Sequence, residues 1–76
     1  MDGRQRHYSI LIEWEPQGRV YVARVPELPG CMSHGMTYED ALSHIQEALD
    51  GFVAVAENLA LALPSPQVYD LSEVTV

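Results

Sequence analysis

The sequence contains no lysine and only one cysteine, and both scarcities limit what the protein can do. Its 76 residues carry four arginines against eleven aspartates and glutamates, which gives a formal net charge of -7. Nucleic-acid binding depends on lysine and arginine side chains that displace counterions from phosphates, so we expect no direct binding to DNA or RNA. A single cysteine excludes an internal disulfide and a thiolate cluster for structural zinc.

Long apolar runs are also missing. The first residues, MDGRQRHY, hold no apolar stretch that could serve as a signal peptide. No later run approaches the roughly 20 apolar residues that span a bilayer. We therefore expect a soluble cytoplasmic protein with no membrane partner. A chain this short buries only about 60% of its unfolded surface, so we expect association into a homodimer or higher oligomer to add stability.

The first third of the sequence has the alternation of β-strands. Residues 7–14 and 19–25 are rich in β-branched and aromatic residues, and the segment EPQG between them supplies proline and glycine for a turn. The pattern predicts a hairpin with a four-residue loop at positions 15–18. Opposed residues share a face, and this loop predicts the following pairs: Ile12 with Tyr21, Ile10 with Ala23, and Tyr8 with Val25.

A corner rich in proline and glycine follows the hairpin in the segment VPELPGC. Pro26 cannot donate to a strand ladder, so it ends the second strand. Pro29 and Gly30 suit the central positions of a type II turn, in which the glycine takes a positive φ. The corner therefore predicts a chain reversal and a short third strand over residues 31–34 that ends at Gly35.

One long amphipathic helix is predicted next. Thr37 offers a hydroxyl N-cap, and Glu39 and Asp40 place carboxylates in the first turn. At about 100° per residue, positions 38–58 separate into an apolar arc and a polar arc. Asn58 is the expected left-handed C-cap. Two prolines then prevent further helix, and positions 68–76 favour a last strand.

These elements predict an α+β fold in the order β-β-β-α-β. We expect a three-stranded antiparallel sheet, with the helix on one face and a C-terminal strand completing the chain. The sequence shows no repeat and no second domain, so it predicts a single domain over residues 1–76, with a core over about 7–66 and the last strand over about 68–76.

The corner and the helix start together resemble the HicB family, the antitoxin components of bacterial HicA–HicB pairs. The resemblance runs over about residues 8–66 and rests on Pro26, Leu28, Pro29, Gly30, Cys31, Gly35, Thr37, Glu39 or Asp40, Ala41 and the EAL segment at 47–49. It implies a partial RNase H-like fold without a cofactor. It also implies a HicA-like partner, a small basic RNA-cleaving toxin that this protein would bind and neutralise.

The resemblance is to the antitoxin-type domain alone. Full-length HicB antitoxins usually carry a C-terminal DNA-binding segment that represses their own operon, whereas this sequence ends at Val76. We therefore expect a short form without autoregulation by DNA binding. An acidic surface would complement a basic toxin, and the candidate toxin-facing acids are Glu39, Asp40, Glu47 and Asp50. The alternative is a stand-alone homo-oligomeric interaction protein of unknown role with no toxin partner.

Apolar residues outside the predicted core favour association. Leu11, Val20 and Val22 lie on the sheet face away from the helix, and residues 59–63 form an apolar tail. Such patches usually mark contact surfaces.

Enzymatic alternatives have weaker support. Cys31 could act as a nucleophile with His34 or His44 as its base. However, free cysteines are among the most buried residues, and Cys31 and His34 point to opposite faces of a strand. His7, His34 and His44 lack a metal-ligand spacing. A nuclease of the RNase H type needs converging carboxylates, and Glu13 is the only acid in the predicted first three strands. We expect no enzyme, metal or cofactor.

Overall fold

The computed structural model describes residues 7–70, and within them the predicted α+β order of three strands followed by a helix is confirmed. The elements are β1 (Leu11–Glu15), β2 (Val20–Arg24), β3 (Met32–Gly35) and α1 (Tyr38–Asn58). The strands form one antiparallel sheet in the order β1-β2-β3. No helix within this part of the chain is long and apolar enough to cross a membrane.

The hairpin register differs from the prediction by two residues. Ile12 pairs with Ala23, and Trp14 pairs with Tyr21. The cause lies in the loop, because Glu15 stays in the strand and its carboxylate accepts hydrogen bonds from the N–H groups of Gln17 and Gly18. The loop therefore covers positions 16–19. A shift of two leaves each side chain on its predicted face, since the side-chain period of a strand is two.

The first strand is shorter than predicted, and it begins at Leu11 rather than His7. The backbone N–H of Ser9 is occupied elsewhere, because it donates to the carboxylate of Glu27 at 3.0 Å.

The core lies between the sheet and one face of α1. Its members come from the helix-facing side of the sheet, the corner after β2 and the apolar arc of α1: Tyr8, Ala23, Val25, Leu28, Cys31, Ala41, Ile45, Leu49 and Val53. Leu28, Ile45 and Val25 are the largest fully buried side chains in the described residues. The spacing of the helical members follows the 3.6-residue period that the sequence predicts.

The helix has its predicted bounds, while its C-terminal cap differs from the prediction. Thr37 is the N-cap, and its Oγ1 accepts a hydrogen bond from the N–H of Asp40 at 3.0 Å. At the other end Asn58 remains helical, Leu59 is the C-cap, and Ala60 takes the positive φ of 54°. The N–H of Leu61 reaches back to the carbonyl of Ala56 at 2.8 Å. The helix therefore uses apolar residues where an asparagine was expected.

An extended tail follows the helix. Leu63 packs against the core, and the hydroxyl of Tyr8 donates to the carbonyl of Pro64. The predicted last strand over 68–76 is absent at positions 68–70, and its remaining positions lie outside the described residues. The RNase H-like character and the domain bounds stay predictions.

Candidate functional site

Three backbone hydrogen bonds, each 3.0 Å long, close the proline–glycine corner. The N–H of Val25 donates to the carbonyl of Cys31, that of Leu28 to Val25, and that of Cys31 to Leu28. Gly30 has a φ of 91°, so its predicted positive φ is confirmed. An L-residue rarely adopts this conformation, which explains glycine at this point of the turn. Pro26 and Pro29 lie exposed on the outside of the corner, while Leu28 is buried beneath them.

Glu27 is a buried acidic residue that the sequence pattern did not single out. Its side chain is only 7% exposed. The carboxylate accepts hydrogen bonds from the N–H of Ser9 at 3.0 Å, the hydroxyl of Ser9 at 3.1 Å and the N–H of Gln67 at 2.8 Å. It therefore joins the chain before β1, the corner and the tail. The one signal for such a role in the sequence is the position of this acid between Pro26 and the apolar Leu28.

The hydrogen bonds decide the ionisation of Glu27. Burial alone raises the pKa of a carboxyl group, but the hydrogen bonds from Ser9 and Gln67 favour the charged form. Together they hold the pKa of Glu27 below its ordinary value of 4.5. At neutral pH this carboxylate is therefore ionised and acts as an acceptor for all three donors.

Gly35 brings β3 into direct contact with the start of α1. A Cβ atom at this position would lie 2.4 Å from the backbone nitrogen of Ala41 and 2.7 Å from the carbonyl carbon of Asp40. These atoms belong to the helix backbone, so no side-chain rotation could make room. Gly35 therefore sets how closely the first helical turn, with its cap Thr37, approaches the sheet.

Cys31 lies in a setting unsuited to nucleophilic chemistry. Its side chain is 4% exposed, and burial raises the pKa of the thiol, so the reactive thiolate is disfavoured. The Nδ1–H of His44 donates to the carbonyl oxygen of His34 at 2.7 Å. Across residues 7–70 no three histidine, cysteine, aspartate or glutamate side chains are grouped so that they could hold a metal ion. The predicted core position of Cys31 is confirmed.

The four candidate acids lie on the outer face of α1, and all are exposed: Glu39, Asp40, Glu47 and Asp50. At about 100° and 1.5 Å per residue, they fall within an arc of about 100° and extend for about 16 Å along the helix. We call this set the acidic stripe.

An apolar groove lies between the corner and the second half of α1. It has a volume of about 430 Å³ and is lined mainly by Cys31, Met32, Gly51, Phe52, Val55 and Leu61. The sequence pattern did not predict it, because it forms between segments that are about 20 to 30 positions apart.

Known proteins resemble this chain over most of its length. The family model described as "HicB_like antitoxin of bacterial toxin-antitoxin system" matches residues 8–74. A UPF0150 protein of Helicobacter pylori strain J99 is 42% identical over 57 residues, which are 75% of this chain and 76% of that protein. A UPF0150 protein of Thermoplasma acidophilum is 39% identical over 46 residues, 60% of this chain and 65% of the relative, slightly under two thirds of its length.

A solved structure has the same fold. The crystal structure of the N-terminal domain of the Burkholderia pseudomallei antitoxin HicB superposes with a TM-score of 0.64 at 30% sequence identity. The superposition covers 84% of this chain and 73% of that one.

Proposed function

Since this chain belongs to the HicB-like antitoxin family of bacterial toxin–antitoxin systems, we propose that it binds and neutralises a small basic RNA-cleaving toxin of the HicA type. The observation that carries the proposal is the family match over residues 8–74. Inhibition would be steric and electrostatic, because the protein would cover the toxin surface that RNA must reach. We propose that this takes place in the cytoplasm, where such RNA is found.

The charge distribution supports a basic partner. The chain has a formal net charge of -7 and no lysine, and the acidic stripe is exposed on α1. A surface that binds RNA is positively charged, so it is complementary to such a stripe. Electrostatic complementarity raises the rate of association and orients the partners more than it raises affinity. We therefore propose that the stripe steers the toxin, with no direct contact between this protein and nucleic acid.

Neutralisation needs no catalysis in this proposal. Cys31 is buried with a raised thiol pKa, which supports a structural role. We expect the variants Cys31→Ser and His34→Ala, once shown to be folded, to inhibit the toxin as the original protein does. Loss of inhibition in either folded variant would instead favour the enzymatic alternative.

Removal of charge from the acidic stripe is expected to slow toxin binding. In the double variant Glu39→Gln and Glu47→Gln, the association rate at low salt should fall roughly three- to tenfold, because steering depends on the local potential. Both side chains are exposed, so the fold should be retained. Stopped-flow mixing with a purified toxin of the HicA type measures the rate.

The matched control removes the same charge elsewhere. The double variant Glu13→Gln and Asp70→Asn alters two exposed acids that lie outside α1. Its association rate should stay within about twofold of the original, and the difference between the two variants should shrink as salt screens the charges. Equal effects of the two variants would contradict a role for the stripe.

A second candidate function is a stand-alone homo-oligomeric interaction protein. The observation that favours it is the open face of the sheet, where Leu11 is 38% exposed and Met32 is 57% exposed. Arg24 is paired with both of them and forms an ion pair with Glu13, whose Oε1 lies 3.5 Å from the Arg24 Nε. Val22 and Val20 follow on the same face of β2 and are half-buried. Exposed apolar side chains grouped on one face of a sheet are typical of contact sites.

The mass in solution tests association through this face. We expect sedimentation equilibrium at micromolar concentration to give a dimer or higher oligomer, and Val22→Glu to reduce it to one chain by placing a charge at the centre of the face. Ser43→Glu, on the polar side of α1, is the control and should not change the mass. A single-chain mass for the original protein would contradict the prediction.

A further inference from the structure

Three aromatic rings contact one another beside the start of the helix. The ring centroids of Trp14 and Tyr21 lie 5.1 Å apart in an edge arrangement, and those of Tyr21 and Tyr38 lie 4.2 Å apart. Trp14 remains 50% exposed and Tyr38 57% exposed. We call these three residues the aromatic ledge. Its two outer rings present large aromatic surfaces to solvent.

The fold builds this ledge from three elements. Trp14 and Tyr21 are directly paired on β1 and β2, on the face that the helix covers. Tyr21 is paired with Gly35 on β3. Because Gly35 has no side chain, the backbone of the first helical turn can approach the sheet, and Tyr38 comes to lie against Tyr21. The ledge is therefore held by backbone geometry rather than by loops.

Negative charge lies along one side of the ledge. Tyr38 is followed in the same helical turn by Glu39 and Asp40, two exposed acids of the stripe, whereas Glu13 and Glu15 lie on the opposite face of the sheet from Trp14. Of the two arginines in the described residues, Arg24 is paired with Glu13 and Arg19 lies in the hairpin loop. Exposed π faces in a negative field attract a cation, because the ring quadrupole and the carboxylates act in the same direction.

We propose that the aromatic ledge binds an arginine side chain presented by a basic protein partner, an inference that rests on the proposed function. The guanidinium is planar and weakly hydrated, so it stacks on an aromatic face and can still reach a carboxylate. A lysine ammonium is compact and strongly hydrated, and it gains less from such a surface. Tyrosine, tryptophan and arginine are also the residues that dominate binding energy at protein interfaces.

Two peptides test this preference without any toxin. The probes are blocked peptides of alternating glycine and arginine, or glycine and lysine, with equal length and charge. Trp14 is the only tryptophan, so its fluorescence and its indole N–H signal report binding at the ledge. We expect the arginine peptide to bind about two- to fivefold more tightly, the range for an exposed cation–π contact. Equal affinity of the two peptides would overturn the proposal.

Variants separate the rings from the charge. Tyr38→Leu and Trp14→Leu keep apolar surface but remove a ring, and each should reduce the arginine preference toward unity as measured by calorimetry or amide chemical shifts. Tyr38→Phe retains the ring and should retain the preference. Tyr69→Leu removes an exposed tyrosine outside the ledge and is the matched control. A preference for the arginine peptide that persists in both Tyr38→Leu and Trp14→Leu would also overturn the proposal.

These outcomes are independent of the antitoxin proposal. If the toxin is inhibited but the peptides bind alike, the ledge proposal fails and the antitoxin function stands. If the arginine peptide is preferred at the ledge but the toxin is not inhibited, the antitoxin proposal fails.

Discussion

Replacement of Gly35 by alanine is expected to lower the free energy of unfolding by about 3 kcal/mol, a large part of the roughly 5 to 15 kcal/mol that a small domain has. The added Cβ would lie 2.4 Å from the backbone nitrogen of Ala41, far inside van der Waals contact. The first turn of α1 would have to move away from β3. Urea denaturation followed by circular dichroism measures the loss.

A second glycine provides the control for this substitution. Gly51 lies in α1, and a Cβ there would meet no atom within 4 Å. Gly51→Ala should therefore stabilise the protein by up to about 1 kcal/mol, the difference in helix propensity between the two residues. A Gly35→Ala variant with the unfolding midpoint of the original protein would show that β3 and α1 are not in backbone contact.

The substitution Gly35→Ala also has a consequence for binding. Gly35 sets the approach of the helical turn that carries Tyr38 and the first acids of the stripe. If Gly35→Ala still folds at low temperature, its arginine preference at the aromatic ledge should be reduced, since the contact between Tyr38 and Tyr21 depends on that approach.

Substitution of Glu27 by glutamine is expected to destabilise the protein by about 2 kcal/mol at pH 7, because hydrogen bonds to a charged acceptor contribute more than those to a neutral one. The carboxylate accepts from three donors on Ser9 and Gln67. All three donate to Oε2, and the N–H of Ser9 also lies 3.3 Å from Oε1. A glutamine can keep an oxygen at the Oε2 position, but the three bonds lose the negative charge of their acceptor and the amide NH2 group then faces the N–H of Ser9. The tail at Gln67 should also become more sensitive to limited proteolysis.

The pH dependence of stability identifies the carboxylate directly. The folded-state pKa of Glu27 lies below 4.5. The stability that ionisation contributes is therefore fully present above about pH 4.5, and it is lost as the pH falls through the lower, folded-state pKa. Glu27→Gln should remove this component, so that the difference between the two proteins is largest near neutral pH and smaller in acid.

Glu13→Gln is the matched control for Glu27→Gln. Glu13 is an exposed partner of Arg24, and such surface ion pairs contribute at most about 1 kcal/mol. Its effect should be small, and added salt should reduce it. A Glu27→Gln variant as stable as the original at pH 7, or a difference that does not change with pH, would contradict the role assigned to Glu27.

Local patterns were sufficient to predict the helix and the corner. The helix bounds at Tyr38 and Asn58, the cap at Thr37 and the positive φ of Gly30 all depend on neighbouring residues, and all are confirmed. The faces of the strands also follow from alternation alone. The hairpin register was wrong because the side chain of Glu15 accepts from the loop amides, which moves the turn by one position along the chain.

The remaining features depend on contacts between distant segments. Glu27 bonds to Gln67, 40 positions away, and no period or propensity predicts such a contact. The close approach of Gly35 to Ala41 requires the angle between sheet and helix, which the sequence pattern does not supply. The expected C-cap at Asn58 was wrong: Leu59 is the C-cap, Ala60 takes the positive φ, and the N–H of Leu61 bonds to the carbonyl of Ala56.

RNA cleavage by a small basic protein that is encoded beside this chain's gene or co-purifies with this chain, measured as this protein is added, tests the proposed function most directly. We expect cleavage to fall to background near an equimolar ratio, and the original protein to inhibit at lower concentrations than the Glu39→Gln and Glu47→Gln double variant. Cleavage that persists at a large excess of folded protein, or the absence of both such a gene and any co-purifying basic protein, would contradict an antitoxin role.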